Sequence, residues 1–391
     1  MRGRLKWKGF PSHIGPVEVS PNDAARRLEA LLAGGAEGAL FDGAGFGAPL
    51  VATRPDAVLE GGWTDWKILA AALRAGRKTG APGGLAGWFD YEGNFLFGVF
   101  PSWSRAEAPW PAVEELPGSA DFRPTVGPEE WVRRVGRVRD YISAGDIYQV
   151  NLTHALTARW DPPPGSLYER LRAASPAPYS CFLRLGDTAV LSASPECFLR
   201  IAGRRILTEP IKGTRPRGSD PRADEALARE LVSSPKERAE LVMITDLERN
   251  DLGRVCEYGS VRVPSLCRLE SFAQVHHLVS TVEGALRPDV SALQALRACF
   301  PGGSITGAPK KRAREIIAEL EGAPRGIYTG AVGFFGWDGS AVFNIAIRTL
   351  VLRGGTATFG IGAGIVADSC PALEYEETLH KAAGLLAACS R

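Results

Sequence analysis

Two pairs of glutamates in this 391-residue sequence are spaced by about one helical turn. Glu237 and Glu240 lie in PKERAELV, and Glu374 and Glu377 lie in EYEET. Residues i and i+3 project to one side of a helix, so each pair can face a common point. Carboxylates from two helices suit Mg²⁺, which prefers oxygen ligands and retains water in its shell. A solvated helix surface is the other interpretation, and the spacing alone favours it.

Isolated charges interrupt segments that are otherwise apolar or rich in turn residues. Lys212 lies in TEPIKGTRPRG before the turn-forming pair Gly213 and Thr214, and Glu196 lies upstream in SASPECF, across a predicted hairpin. Arg348 interrupts the apolar strand NIAIRTLVL. A charge there is costly unless it is paired, so Arg348 has either a buried carboxylate partner or an anionic ligand.

Three further features have simpler structural interpretations beside functional ones. Lys381 follows Glu377 by four residues, the spacing of a helical ion pair. His277, in QVHHLVSTVEG, is more simply explained as a structural histidine than as a catalyst. The glycines of GIGAGIVADS, which include Gly362 and Gly364, lack the helix and the acidic residue that a dinucleotide fingerprint requires. Closely spaced glycines still allow backbone N–H groups to approach an anion.

The elements that must position these residues indicate an α+β protein with a large, mostly antiparallel sheet. Residues 1–125 are predicted to form an N-terminal β-rich subdomain, and residues 126–391 a catalytic domain. The proline-rich stretch 101–128 is the predicted linker. IYQVNLTHALTARW predicts a strand with a polar face that carries Gln149, and PRADEALARELVSSPKERAELVMITDLERNDLG predicts two helices broken before Pro235.

Composition narrows the class of protein. The net charge of +2 argues against a nucleic-acid-binding protein. Seven cysteines without CxxC pairs favour reduced thiols over a disulfide framework. No run approaches the length of apolar residues that a membrane span needs. We therefore expect a soluble, cytoplasmic protein that binds neither nucleic acid nor membrane.

Eight stretches spanning about residues 130–385 resemble the chorismate-utilising enzymes, in the order of that family. They are GDIYQVNLT, SASPECF, EPIKGT, DLERNDLGRV, HHLVSTVEG, CFPGGSITGAPKKRA, GIYTGAVGFF and GAGIVADSCPALEYEET. The resemblance implies a mostly antiparallel β-sandwich with peripheral helices, to which both parts of the chain contribute. It also implies chorismate as substrate and one Mg²⁺ as cofactor.

The resemblance also implies roles for individual residues. Glu240 and Glu377 would ligate the metal, with Glu237 and Glu374 beside it. The other implied contacts, to the substrate's carboxylates and ring, involve Tyr328, Arg348, Gly362, Gly364, Lys381, Thr214, Ser304 and His277. Tyr328 and Arg348 would hold the enolpyruvyl carboxylate, for which a bidentate guanidinium is well suited.

Two positions separate the branches of the family. Relatives that add water to chorismate carry a lysine base where this chain has Gln149, and an amide cannot deprotonate water. Anthranilate synthases usually carry alanine where this chain has Lys212. PIKGT is the form found in the aminodeoxychorismate synthase component I branch. The sequence therefore resembles that branch most.

The resemblance implies amination at C4 of chorismate through a covalent adduct on Lys212, with Glu196 as the acid and base. These roles need a lowered pKa for Lys212 and a raised pKa for Glu196. The sequence contains no GxCxG nucleophile elbow, so ammonia would come from a separate glutamine amidotransferase subunit. An anthranilate synthase component I with an unusual lysine, and an inert chorismate-binding subunit, remain alternatives.

Overall fold

The computed structural model describes residues 21–105, 120–272 and 274–390. Within these ranges the chain forms nine α-helices. They are α1 (Pro21–Leu32), α2 (Trp66–Arg77), α3 (Pro128–Ser143), α4 (Pro164–Ala174), α5 (Pro221–Ser233), α6 (Pro235–Gly253), α7 (Ala292–Cys299), α8 (Lys310–Glu321) and α9 (Pro371–Cys389).

The described part of the chain also forms twenty strands in two sheets, and every pairing among these strands is antiparallel. In chain order they are β1 (Gly38–Phe41), β2 (Leu50–Thr53), β3 (Ala57–Gly61), β4 (Gly84–Phe89), β5 (Phe95–Phe100), β6 (Ser104–Arg105), β7 (Arg123–Pro124), β8 (Gln149–Arg159), β9 (Tyr179–Leu185), β10 (Thr188–Ser194), β11 (Cys197–Ala202), β12 (Arg205–Glu209), β13 (Ile211–Pro216), β14 (Arg262–Ser271), β15 (Val275–Ala285), β16 (Gly307–Ala308), β17 (Ala331–Gly336), β18 (Ala341–Ile345), β19 (Thr349–Arg353) and β20 (Thr356–Ile365). One sheet has the order β16-β8-β20-β19-β10-β9-β1-β2-β6, and the other has the order β13-β15-β12-β11-β18-β17-β4-β5-β3. β7 pairs with β8 in the first sheet, and β14 pairs with β15 in the second.

Alternating side chains of β17 show how the sheets pack. Val332 and Phe334 point into a cluster that also contains Phe41 of the first sheet. Their neighbours Ala331 and Phe335 point to the opposite face, into a second cluster with Leu69 of α2. This two-residue period is that of a strand buried on both faces. The predicted α+β class and antiparallel sandwich are confirmed.

The break between α5 and α6 lies where the sequence predicts it. Ser234 ends α5 and is also the N-cap of α6, where its hydroxyl accepts the Glu237 N–H at 3.4 Å. Pro235 follows at the first helical position, which needs no N–H donor. The break lets α6 run across β13 and β15, so that Glu237 and Glu240 reach the same region as β13.

Gly213 is not part of a turn, contrary to the sequence prediction. It lies in β13, where the pairing with β15 shifts register between Lys212 and Thr214. Two features favour glycine there. The backbone φ is +73°, and an added Cβ would lie only 2.8 Å from Leu231 Cδ1. A bulge of this kind re-aims the neighbouring side chains. Lys212 therefore projects from strand β13 rather than from a turn.

Three further expectations concern the linker, the membrane spans and the cysteines. Residues 106–119 of the predicted linker lie outside the described residues, while the flanking residues form the short strands β6 and β7. Among the described residues, no helix combines the length and apolar character that crossing a bilayer demands. All seven cysteines lie in the described ranges and are free thiols.

Candidate active site

Lys212, Glu196 and Ser304 meet where β13, the start of β11 and the loop after α7 converge. Lys212 Nζ donates to the Ser304 carbonyl oxygen at 3.4 Å. Asn151 of β8 donates its side-chain amide to the same carbonyl. Glu196 is only 4% exposed and immediately precedes β11. An amine and a carboxyl group are thus gathered around one loop.

The pKa values of these two groups move in opposite directions. Burial lowers the pKa of Lys212 below its ordinary value, and Lys381 adds to this effect while Glu240, Glu196 and Glu237 oppose it. Burial raises the pKa of Glu196 to about 7, against the opposing effects of the Ser304 hydroxyl and Lys212. Near neutral pH this environment favours an uncharged amine and a protonated carboxyl group more than water does.

Residues of α6 and α8 clamp the loop that carries Ser304. Glu248 is 2% exposed, and its Oε1 accepts the Gly303 N–H at 2.8 Å. Lys310 donates to the carbonyl oxygens of Cys299 and Pro301, at 3.0 and 2.7 Å, and pairs with Asp251. The loop is therefore held at Gly303 and on its N-terminal side.

Glu248 is a residue that the sequence analysis missed. Its Oε2 is buried without a hydrogen-bond partner among the described residues. Burial raises its pKa, and the negative charges of Asp251 and Glu196 raise it further, while Lys310 opposes them. The signal lay in the helical period, because Glu248 and Asp251 share the buried face of Leu241 and Leu252. Acids on an apolar helix face are rarely surface acids.

The two glutamate pairs lie close to one another and to Lys212. Burial raises the pKa of Glu240, and the charges of Glu237 and Glu374 raise it further, against Lys212. Glu374 is buried and accepts the Ser369 hydroxyl at 2.6 Å. Glu377 pairs with Lys381 at 2.7 Å, the i,i+4 pair that the spacing predicts.

The four glutamates offer the carboxylate oxygens that Mg²⁺ prefers as ligands. Burial and neighbouring carboxylates raise the pKa values of Glu240 and Glu374, and a divalent cation would oppose that rise. The pKa of Glu377 is lowered instead, because Lys381, together with Lys236 and Lys212, outweighs the effect of burial. As placed, however, Glu377 is turned to Lys381, and Glu237 lies 3.5 Å from an Arg215 nitrogen. Within the part of the chain that the structure describes, no three His, Cys, Asp or Glu side chains converge at ligand spacing.

Gln149 and the glycines of β20 form one wall. The Gln149 side chain is fully buried, and neither of its amide atoms has a hydrogen-bond partner among the described residues. A Cβ on Gly364 would lie 2.5 Å from the Gln149 amide nitrogen. Lys381 donates to the Gly362 carbonyl oxygen at 3.2 Å. Here β20 pairs with β8 on one edge, while its pairing with β19 covers only residues 356–359, so the other backbone edge at these glycines faces no strand among the described residues.

His277 and Arg348 form a second group next to β13. The His277 Nδ1 lies 3.0 Å from the Thr214 hydroxyl and 3.2 Å from the Gly213 carbonyl oxygen. Its Nε2 is buried without a partner in the described residues. Burial, with Arg348 adding to it, lowers the pKa of His277 to about 4, so the ring is neutral at pH 7.

Arg348 has a left-handed backbone, with φ of 49°, at the end of the apolar run before β19. Burial alone lowers the pKa of its guanidinium. No ion pair or side-chain hydrogen bond involves this guanidinium among the described residues, so the buried-carboxylate interpretation finds no support. The anion-ligand interpretation stays a prediction.

Tyr328 approaches the same wall from the loop before β17. Its ring packs on Gly360 so closely that a Cβ there would lie 2.1 Å from a ring carbon. Burial raises the pKa of its hydroxyl, so the phenol stays protonated. Ser304 completes the set, since its buried hydroxyl lies near the Glu196 carboxyl group and opposes the rise in the pKa of that group. Gln149 and His277 present buried polar atoms without hydrogen-bond partners among the described residues, and these atoms need partners from a polar ligand or water.

Residues 101–387 match the family model described as chorismate binding enzyme. The chain belongs to the chorismate-binding enzyme family. It is 51% identical over 263 residues to anthranilate synthase component 1 of Streptomyces coelicolor, covering 67% of this chain and 52% of that protein. It is 49% identical over 270 residues to aminodeoxychorismate synthase of Streptomyces griseus, covering 67% of this chain and 37% of that protein.

A third relative of this family is aminodeoxychorismate synthase component 1 of Bacillus subtilis. It is 47% identical over 248 residues, covering 63% of this chain and 53% of that protein. The chain thus spans about half the length, or less, of these curated relatives. Since both names occur at similar identity, the similarity supports the family and does not choose between the two products.

Two solved structures share the fold. Anthranilate synthase component I from Streptococcus pneumoniae aligns with a TM-score of 0.75 at 28% identity, covering 86% of this chain and 91% of that one. The menaquinone-specific isochorismate synthase from Escherichia coli aligns with a TM-score of 0.73 at 19% identity, covering 90% and 89%. The second likeness is one of fold alone.

Proposed function

We propose that this chorismate-binding family member aminates chorismate at C4 with ammonia and gives 4-amino-4-deoxychorismate, a precursor of 4-aminobenzoate and folate. The observation that carries the proposal is Lys212, whose amine lies against the Ser304 carbonyl oxygen next to the buried acid Glu196. A nucleophilic lysine needs a lowered pKa, and its acid partner needs a raised one. Both directions agree with these roles.

The proposed reaction has two substitutions. The neutral Lys212 amine forms a bond to C2 of chorismate, both ring double bonds shift (C1=C2 becomes C1=C6, and C5=C6 becomes C4=C5), and the C4 hydroxyl leaves as water with the Glu196 proton. The adduct nitrogen returns one proton to the Glu196 carboxylate. Ammonia then bonds to C4, both double bonds shift back, and the C2–N bond breaks. The departing lysine takes up the proton that the new amine releases, so chorismate and ammonia give the amine and water.

We propose that the groups around Lys212 and Glu196 bind the carboxylates and the ring of chorismate. The unpaired guanidinium of Arg348 and the Tyr328 hydroxyl would hold the enolpyruvyl carboxylate. Lys381 and the backbone near Gly362 and Gly364 would meet the ring carboxylate. His277, Thr214 and Ser304 would line the ring, with Gln149 on the opposite wall.

We also propose Mg²⁺ as the cofactor, held by Glu240 and Glu377 with Glu237 and Glu374 beside them. The ion would supply positive charge for the ring carboxylate of the substrate. EDTA should abolish turnover, and added Mg²⁺ should restore it. Turnover that is unaffected by chelation would remove the metal from the proposal.

Mass-resolved analysis of products from chorismate, Mg²⁺ and ammonium salt tests the proposal. Wild type should give 4-amino-4-deoxychorismate, and Lys212→Ala should lose at least about a hundredfold in that product, as expected when a covalent route is removed. Lys311→Ala, an exposed lysine at the start of α8, is the matched control. Undiminished product from Lys212→Ala would refute the covalent lysine.

The same assay separates the alternatives. Amination at C2 with release of pyruvate would identify an anthranilate synthase, whose name occurs among relatives at up to 51% identity. Chorismate binding without any product would identify an inert binding subunit. The ammonia source is proposed to be a separate glutamine amidotransferase subunit, so glutamine should replace ammonium only when such a subunit is added.

A further inference from the structure

A cavity of about 440 Å³ lies between α2 and α7, against the turn after β17. Its size falls within the roughly 300–1,000 Å³ of small-molecule sites. None of the catalytic or binding residues proposed above lines it. The residues that do include the cations Lys67, Arg74, Arg77 and Arg297. No aspartate or glutamate is among the residues lining it.

The four cations have no carboxylate partner among the described residues. The nearest aspartates in sequence are occupied by their own turns. Asp65 accepts the Gly62 N–H at 3.1 Å, and Asp338 accepts the Ser340 N–H at 2.9 Å. Four positive charges therefore face one concave surface whose described lining residues include no carboxylate, which favours an anion there.

One of the guanidinium groups, that of Arg297, packs against aromatic rings. Arg297 lies 5.6 Å from the ring centroids of both Trp63 and Trp66, which stack on each other at 4.9 Å. Such cation–π contacts orient a guanidinium and leave its edge N–H groups available. Arg77 lies beside the turn at Gly339, where a Cβ would lie 2.8 Å from its Nη2. All four cations are exposed, so a ligand can reach their charged groups.

The floor of the cavity is apolar. Trp66, Leu293 and Phe335 line it and are at most 5% exposed as residues. A site that combines a buried apolar floor with a cationic rim suits a molecule with an apolar body and several negative charges. A small inorganic ion alone would leave the floor unused.

We propose that this cavity binds a small organic polyanion, with two or more carboxylate or phosphate groups on an apolar body. Arg74, Arg77 and Arg297 would take its oxyanion groups, and Trp66, Leu293 and Phe335 its body. The site is separate from the catalytic residues and does not depend on the reaction proposed above. Helix α7, which forms one wall of the cavity, leads directly into Phe300. The ring centroid of Phe300 lies 5.9 Å from that of Trp63 and 5.9 Å from that of Phe198. Phe198 follows Glu196 and Cys197 in the sequence.

Isothermal titration calorimetry of the full chain with benzene-1,3,5-tricarboxylate, at about 0.15 M ionic strength to screen loose charge attraction, tests this site. The probe should bind saturably and more tightly than benzoate or inorganic phosphate. Arg74→Gln and Arg297→Gln should each weaken binding about tenfold, the usual effect of losing one charge-assisted contact. Arg139→Gln, an exposed arginine of α3, removes the same charge and should leave binding unchanged.

The Arg348→Gln variant separates this cavity from the candidate active site. Binding that survives in Arg348→Gln and is lost in the cavity variants supports the proposal. Binding lost in Arg348→Gln but kept in the cavity variants would assign the probe to the active site and overturn it. Equal binding of phosphate and tricarboxylate would reduce the site to charge attraction. Binding of poly-glutamate without binding of the tricarboxylate would make it an acidic-protein surface, and either result would overturn the proposal.

Discussion

Glu196 has a raised pKa because it is buried, and the proposed chemistry needs it protonated at the first step. As pH rises through about 7, Glu196 loses that proton. We therefore expect kcat, corrected for the concentration of free ammonia, to fall on the alkaline side with an apparent pKa near that value.

Glu196→Gln should remove this alkaline limb and lower kcat by about 10²–10⁴, the usual contribution of a positioned acid. The measurement is kcat against pH for both proteins, with circular dichroism as a check on folding. An alkaline limb that persists in Glu196→Gln would assign it to another group.

Glu248 acts on the same proton from outside the substrate pocket. The charge of Glu196 raises the pKa of Glu248, and because a Coulomb interaction is mutual, an ionised Glu248 raises the pKa of Glu196. The other charged or titratable groups facing Glu248 are Asp251, Lys310 and the thiol of Cys299. Glu248 is thus a positioning residue for the Gly303 N–H and an electrostatic neighbour of the acid.

Glu248→Gln keeps an oxygen acceptor for the Gly303 N–H but removes the charge. We expect the alkaline limb of kcat to move to lower pH, since Glu196 would then release its proton more readily, with little change in KM. Glu248→Ala should in addition release the loop and raise KM. If both variants kept the wild-type pH profile, Glu248 would have only a structural role.

At the scale of elements, the sequence predicted those features that depend on local periodicity. The break at Pro235 appears as predicted, because helix capping is a local property. At Gly213 the sequence predicted a turn, and the structure has a β-bulge. A glycine that follows a lysine is compatible with a turn and with a bulge, and only the pairing of β13 with β15 distinguishes the two.

The site residues also fall into a group that the sequence predicts and a group that it does not. The sequence analysis predicted Lys212, Glu196, Ser304 and the glutamate pairs, because they lie in motifs shared with the family. Glu248 was missed because its burial depends on α6 packing against the loop after α7, a contact distant in sequence. The cationic cavity was missed for a similar reason, since α2 and α7 are far apart in the chain.

Gly213→Ala tests whether the bulge aims Lys212. A Cβ there adds contacts of 2.8 Å to Leu231 Cδ1 and 3.1 Å to Glu237 Oε2, besides the strain of a positive φ. We expect a loss of more than about 2 kcal/mol in the free energy of unfolding, with at least about a tenfold fall in kcat/KM.

Gly203→Ala is the matched control, since its φ is +58° and nothing lies within 4 Å of its Cβ. It should cost only about 1–2 kcal/mol for backbone strain and leave kcat/KM unchanged. Urea unfolding and steady-state kinetics give both quantities. Equal kinetic effects of the two substitutions would mean that the bulge does not position the lysine.

At the scale of the whole molecule, strands from before residue 106 join both sheets. β1 pairs with β9 in one sheet, and β4 pairs with β17 in the other. We propose that residues 1–125 and 126–391 are two parts of one sandwich rather than two independently folding units. The aromatic cluster between the sheets is the place to test this, because it contains side chains from both parts.

Phe334 of β17 is fully buried, with ring centroids 5.1 Å from Phe41 and 5.5 Å from Trp103. Phe334→Ala should lower the free energy of unfolding by about 3–5 kcal/mol. In one shared sandwich, amide hydrogen exchange should accelerate together in β1, β4 and β17. Leu373→Ala, a 63% exposed position on α9, should change stability by less than about 0.5 kcal/mol. Faster exchange confined to β17 and its C-terminal neighbours would show that the two parts open separately, because a core that holds both sheets together cannot lose one ring without loosening both.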